Sequence, residues 1–181
     1  MRKTTQKVKV IVYQKDKEDR VAIHRCLGFH TFSRNAEKSG IYYPAESIKY
    51  TSDPDEALSF ANQSQPDEVV IMISSAVFPP ESSWDLRGFI ANLRDTSEKL
   101  YFFLYTRIRD LTLMERLIEP QKIDAIIPKQ YDAGELRPGW LGNWVLNMFY
   151  LYDNDSGVEE VLQRMKDVFS KEKCKENTTR R

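Results

Sequence analysis

The sequence predicts an α/β protein built on a doubly wound parallel sheet of five strands, and three observations carry that prediction. The apolar runs Val8–Tyr13, Val69–Ile73 and Leu100–Tyr105 are continuous rather than alternating, as expected of strands covered on both faces. Amphipathic helical segments separate such runs, so strand and helix alternate along the chain. Right-handed crossovers between successive parallel strands then favour the order 2-1-3-4-5.

Val8, Val10, Ile11, Val12 and Tyr13 form the first buried strand. The segment Lys15–Phe32 has room for a helix over Arg20–Leu27, interrupted at Gly28. Arg34–Pro44 is polar before its Gly-Ile-Tyr-Tyr-Pro end and reads as a loop or a short edge strand. Ser47–Thr51 alternates enough for a second strand. Asp53 then caps a helix, Pro54 suits its first position, and Glu56 stands where a capping box places an acid. Ala57, Leu58 and Ala61 share one face, Pro66–Asp67 stops the helix, and Val69–Ile73 is too short and too β-branched to be another.

After a turn at Pro79–Pro80–Glu81, Trp84–Arg94 is helical, with Leu86, Phe89, Ile90 and Leu93 at helical spacing. Leu100–Tyr105 is the fourth strand. Asp110–Ile118 is a helix with Leu111, Met114, Leu117 and Ile118 on one side, ended by Pro120, and Asp124–Ile127 is a short fifth strand stopped by Pro128. Trp140–Asp153 is a further helix. A last amphipathic helix covers Val158–Phe169. The expected organisation is an α/β domain over residues 1–153, a helical extension over 154–170 and a flexible basic tail over 171–181, where five basic residues meet two acidic ones.

With 181 residues, 41% of them hydrophobic, the chain can bury one good core. Lys+Arg and Asp+Glu each number 27, which gives no global pull toward nucleic acid or an anionic membrane. Two cysteines far apart, Cys26 and Cys174, argue against a disulfide framework and for a reducing compartment. The first residues lack the apolar core of a signal peptide, and no apolar stretch approaches the ~18 residues a spanning helix needs. A cytoplasmic protein is expected. The chain has no Gly-rich phosphate loop, no Gly-x-Ser-x-Gly elbow and no Walker-type lysine, so no cofactor is expected. His24, Cys26 and His30 are close in sequence, but they lack the second ligand pair that structural zinc uses.

The run Ser47–Ser75 and the segment Trp84–Lys129 resemble the response-regulator receiver domain, which has the flavodoxin-like fold of the chemotaxis regulator CheY. That resemblance covers about Val8–Asp153. It implies a Thr or Ser at the end of strand four and a Lys at the end of strand five, and Thr106 and Lys129 hold those positions. It also implies a phospho-accepting aspartate at the end of strand three, where this chain has Ile73, or Ser74 one place on. Two metal-binding acids should follow strand one. Tyr13 and Gln14 stand there, with Asp16, Glu18 and Asp19 only nearby. Phosphoryl transfer to a carboxylate needs that carboxylate, and the divalent cation needs hard oxygen ligands. Losing both together is what a degenerate pseudo-receiver looks like.

The resemblance therefore implies a signalling or regulatory module acting by protein–protein contact, with a second copy of the chain as one candidate partner. Its degenerate pocket would comprise Asp16, Ile73, Ser74, Thr106 and Lys129. The family's usual output face would include Leu111 and Met114, and the aromatic residues Trp140, Phe149 and Tyr150 lie off the helical stripe of their segment. A fainter resemblance links His24–Arg25, Gly40–Tyr43 and Glu56–Ala57 to the ADP-ribosyltransferases, which would imply an NAD-using enzyme on an antiparallel scaffold. Structures of the two kinds differ in strand direction.

Overall fold

The computed structural model describes residues 6–31, 41–42, 48–66, 68–97, 99–107, 123–136 and 141. Strand β1 (Gln6–Tyr13) leads into helix α1 (Lys17–Thr31), the two-residue strand β2 (Ile41–Tyr42) and strand β3 (Ile48–Thr51). Helix α2 (Pro54–Asn62), strand β4 (Val69–Ser74), helix α3 (Leu86–Thr96) and strand β5 (Leu100–Thr106) follow. Strand β6 (Ala125–Pro128) completes the main sheet, and β7 (Tyr131–Asp132) pairs with β8 (Glu135–Leu136) in a small antiparallel hairpin.

All pairings within the main sheet are parallel. β1 lies between β4 and β3, with β2 beside its first residues, and β5 and β6 extend the sheet beyond β4. The five longer strands thus stand in the order 2-1-3-4-5, the doubly wound flavodoxin-like arrangement. Every residue of β4 is buried, which explains its unbroken apolar run.

Registers and the strand period of two divide the sheet into faces. Tyr13 is level with Ser74 and Ser74 with Leu104, so these share a face with Phe102 and Thr106. Val12, Ile73, Phe103 and Tyr105 belong to the other. Ala57, Leu58 and Ala61 of α2 and Phe89, Ile90 and Leu93 of α3 are buried on the Tyr13 side, where Phe89 lies against Tyr13 and Phe102. Ile23 and Leu27 of α1 are buried on the opposite side.

Two expectations need correction. Helix α1 runs straight through Gly28 to Thr31 instead of breaking there. A mid-helix glycine costs only about 1 kcal/mol, less than the burial of Ile23 and Leu27 on that helix returns. The capping of α2 also differs in detail. Asp53 is the N-cap, its carboxylate accepting the Asp55 N–H at 2.9 Å. Glu56 does not reach back to the Asp53 N–H, which donates instead to the Thr51 hydroxyl at 2.9 Å. That hydroxyl in turn donates to the Glu56 carboxylate, and Lys49 pairs with Glu56 at 2.7 Å. These partners hold the Glu56 carboxyl below its usual range, first through the Lys49 hydrogen bond. Asp53→Ala should cost about 1 kcal/mol in urea unfolding, with a similar slope against denaturant.

Candidate functional site

Parallel α/β sheets bind ligands at the carboxyl ends of their strands, and the chemistry-bearing residues of this chain gather there. Tyr13 ends β1 and Gln14 follows it, Ser74 ends β4 and Ser75 follows it, Thr106 ends β5, and Lys129 follows β6. The Ser75 N–H donates to the Tyr13 carbonyl at 2.9 Å and the Lys129 N–H to the Thr106 carbonyl at 2.7 Å, so neighbouring strand ends are stitched together.

The Lys129 ammonium is held by Asp19, not by Asp16. The Nζ to Oδ2 distance is 2.5 Å, and the two side chains are only 10% and 8% exposed. The same ammonium lies 5.4 Å from the centre of the Tyr105 ring. Burial, followed by the nearby Asp19 carboxylate, raises the Tyr105 hydroxyl far above the usual tyrosine range. Asp16 is exposed and serves the backbone: its Oδ1 accepts the Glu18 N–H at 2.8 Å and the Asp19 N–H at 3.4 Å, opening α1. The sequence expectation names Asp16 for this pocket and leaves Asp19 only nearby. One signal could have found it, because Asp19, Ile23 and Leu27 recur every four residues on the buried stripe of α1. An acid on an apolar stripe needs a buried cation.

The remaining pocket residues divide between the two faces. Ile73 is fully buried, level with Val12 and Phe103, and points to the α1 side. Ser74 shares the Thr106 side, where its hydroxyl donates to the Ser75 carbonyl at 2.8 Å. Ile73, Thr106 and Lys129 do come from neighbouring parallel strands, yet it is Ser74 that shares a face with Thr106. Neither Ile73 nor Ser74 is a carboxylate.

The end of β1 carries Tyr13 and Gln14, neither of them an acid. Tyr13 is buried, its hydroxyl donates to the Val77 carbonyl at 3.0 Å, and its ring stacks on Phe78 with centroids 5.3 Å apart. Gln14 is buried, and among the described residues neither end of its side-chain amide has a hydrogen-bond partner. Arg20 secures the Gln14 main-chain carbonyl at 2.5 Å and that of Lys15 at 2.9 Å. Burial and then the Asp53 carboxylate push the Tyr13 hydroxyl up to about 12. Because the folded value lies above the ordinary 10.0, Tyr13 contributes stability below pH ~10 that fades as pH climbs toward 12. An ultraviolet titration should therefore show tyrosines ionising late, together with alkaline unfolding.

Beyond Lys129 the hairpin Tyr131–Leu136 was not anticipated. Its turn uses Ala133 at φ 50° and Gly134 at φ 84°. Arg107, the residue after Thr106, stacks over the Tyr131 ring at 4.4 Å and donates from Nε to its hydroxyl at 3.0 Å.

The expected partner residues Leu111, Met114, Trp140, Phe149 and Tyr150 lie outside the described residues, as do the helices expected over 110–118 and 158–169. Among the described residues, no three His, Cys, Asp or Glu side chains form a metal-binding group, and no helix is long and apolar enough to cross a membrane. The transferase resemblance fails on the scaffold. His24 sits on α1, edge-on to Tyr50 at 4.9 Å, and the main sheet is parallel where that fold is antiparallel.

No protein-family model and no curated protein matches the chain. Among solved structures, an adenylate cyclase from Rhodopirellula baltica is similar at 14% identity and TM-score 0.48, over 96% of this chain and 98% of that one. A CpaE2 pilus assembly protein from Sinorhizobium meliloti is similar at 12% identity and TM-score 0.43, over 78% of this chain and 97% of its own. The sugar isomerase domain of an RpiR transcription factor from Sphaerobacter thermophilus is similar at 13% identity and TM-score 0.40, over 92% and 79%. Likenesses this distant say nothing of what this chain does. The strand order and the rim described above define it only as a flavodoxin-like, doubly wound α/β protein.

Proposed function

We propose that the chain is a receiver-like signalling module of the cytoplasm that works by protein contact and carries no phosphoryl chemistry of its own. The single observation that carries this reading is the commitment of Lys129 to Asp19 at 2.5 Å. A lysine at this strand end is useful to phosphoryl chemistry when its charge is free to meet a transferred phosphoryl group. Here the charge is already neutralised from within, beside strand ends bearing Ile73 and Ser74 in place of a carboxylate. Thr106 and Lys129 keep receiver positions, whereas the groups that perform the reaction are replaced.

Output then depends on occupancy of a surface and not on turnover. The receiver resemblance puts Leu111 and Met114 on that surface, and Trp140, Phe149 and Tyr150 join it unless the last helix, expected over 158–169, covers them; it would face a protein partner or a second copy, with neither nucleic acid nor membrane involved. Size-exclusion chromatography with light scattering tests this on the full chain. Its association state should be the same with and without acetyl phosphate and Mg²⁺, and Trp140→Ala with Tyr150→Ala should weaken any self-association. A donor-dependent change of mass would count against the proposal.

A further inference from the structure

We propose that the Asp19–Lys129 pair is a latch that sets the position of the Tyr131–Leu136 hairpin at the carboxyl rim of the sheet. This goes beyond the signalling reading and does not depend on it.

The pair joins elements 110 residues apart, the first turn of α1 and the end of β6. On the α1 side, Asp19 is positioned by the Asp16 carboxylate at the helix start, and Arg20 ties that same turn to the carbonyls of Gln14 and Lys15. On the β6 side, only Gln130 separates Lys129 from Tyr131. The Lys129 N–H is bonded to Thr106, and Arg107 comes next in the chain. Tyr131 and Arg107 are therefore brought to face each other by the ends of β5 and β6, which Lys129 fixes. Asp19 and Asp16 also act electrostatically on both Tyr131 and Arg107, so the four groups form one connected set.

One feature opposes the closed arrangement: Ala133 occupies a left-handed conformation that its side chain disfavours. A buried ion pair set against a strained turn makes a segment that can open locally while the sheet stays intact. Arg107, Asp132, Ala133, Gly134 and Glu135 are exposed, so opening would change what the rim presents to solvent.

Hydrogen exchange of the full chain tests the latch. Asp19→Leu with Lys129→Met replaces the pair by apolar side chains, the exchange by which a buried pair can be removed without unfolding. In that variant the amides of 130–136 should exchange about tenfold faster or more, while those of β1, β4 and β5 stay protected. Unchanged hairpin exchange in the folded variant would overturn the proposal. Arg107→Ala supplies a second reading that a failure to fold cannot spoil, because Arg107 is exposed. It should speed hairpin exchange and leave the Lys129 amide protected. A hairpin equally protected without Arg107 would overturn the proposal by itself.

Discussion

Lys129→Met should lower the unfolding free energy by about 3–5 kcal/mol, because it leaves the Asp19 carboxylate buried with no cation. Asp19→Leu should cost a similar amount by stranding the ammonium. The Asp19→Leu, Lys129→Met double variant should recover most of either loss, since two apolar side chains bury no charge. Guanidinium unfolding of the four proteins gives the coupling energy of the pair directly. A pair worth little would show single losses below ~1 kcal/mol, as exposed pairs do. The side chains here are nearly closed to solvent, which places them in the costly class.

Phe89→Ala is expected to be as damaging for a different reason. Its ring lies 5.2 Å from Phe78, 5.8 Å from Tyr13, 6.3 Å from Trp84 and 6.5 Å from Phe102, centroid to centroid. Truncation removes the hub of this cluster between α3 and the sheet and should cost about 3–5 kcal/mol. Phe89→Leu keeps much of the apolar bulk and should lose markedly less. Because Phe89 packs on the Tyr13 face and the Asp19–Lys129 pair lies on the α1 face, the two losses should add when combined. Strong non-additivity would mean that the rim and the aromatic cluster act as one unit.

The sheet was legible because its strands are buried on both faces. Val69–Ser74 and Leu100–Thr106 had no polar alternation to confuse, and Asp53–Pro54 announced the start of α2 by side-chain chemistry alone. The strand order followed from helices placed between strands and from crossover handedness. Less was legible wherever tertiary contacts outweighed local preference. Gly28 reads as a break, yet α1 continues through it, anchored by the buried Ile23 and Leu27 that precede it. Ala133–Gly134 is a weaker hairpin signal than Asn-Gly, so β7 and β8 passed unnoticed.

At the rim, strand positions follow from the sequence more readily than side-chain pairings do. Thr106 and Lys129 were placed at strand ends by position, and they are bonded to each other through the main chain. Which acid meets Lys129 could not follow from proximity in sequence, since Asp16, Glu18 and Asp19 all stand near the end of β1. Helical geometry decides among them: Asp19 shares the buried stripe with Ile23 and Leu27, and Asp16 lies before the helix as its opening residue. A shift of one residue on β4 likewise moves a side chain to the other face, which separates Ile73 from Ser74.

Intact-mass spectrometry of the full chain after incubation with acetyl phosphate and Mg²⁺ tests the central claim most directly. With Lys129 neutralised by Asp19 and no carboxylate at the end of β4, the mass should remain that of the unmodified chain. A phosphoryl increment that is lost in Ser74→Ala or Asp19→Asn would show a working acceptor at this rim and contradict the account.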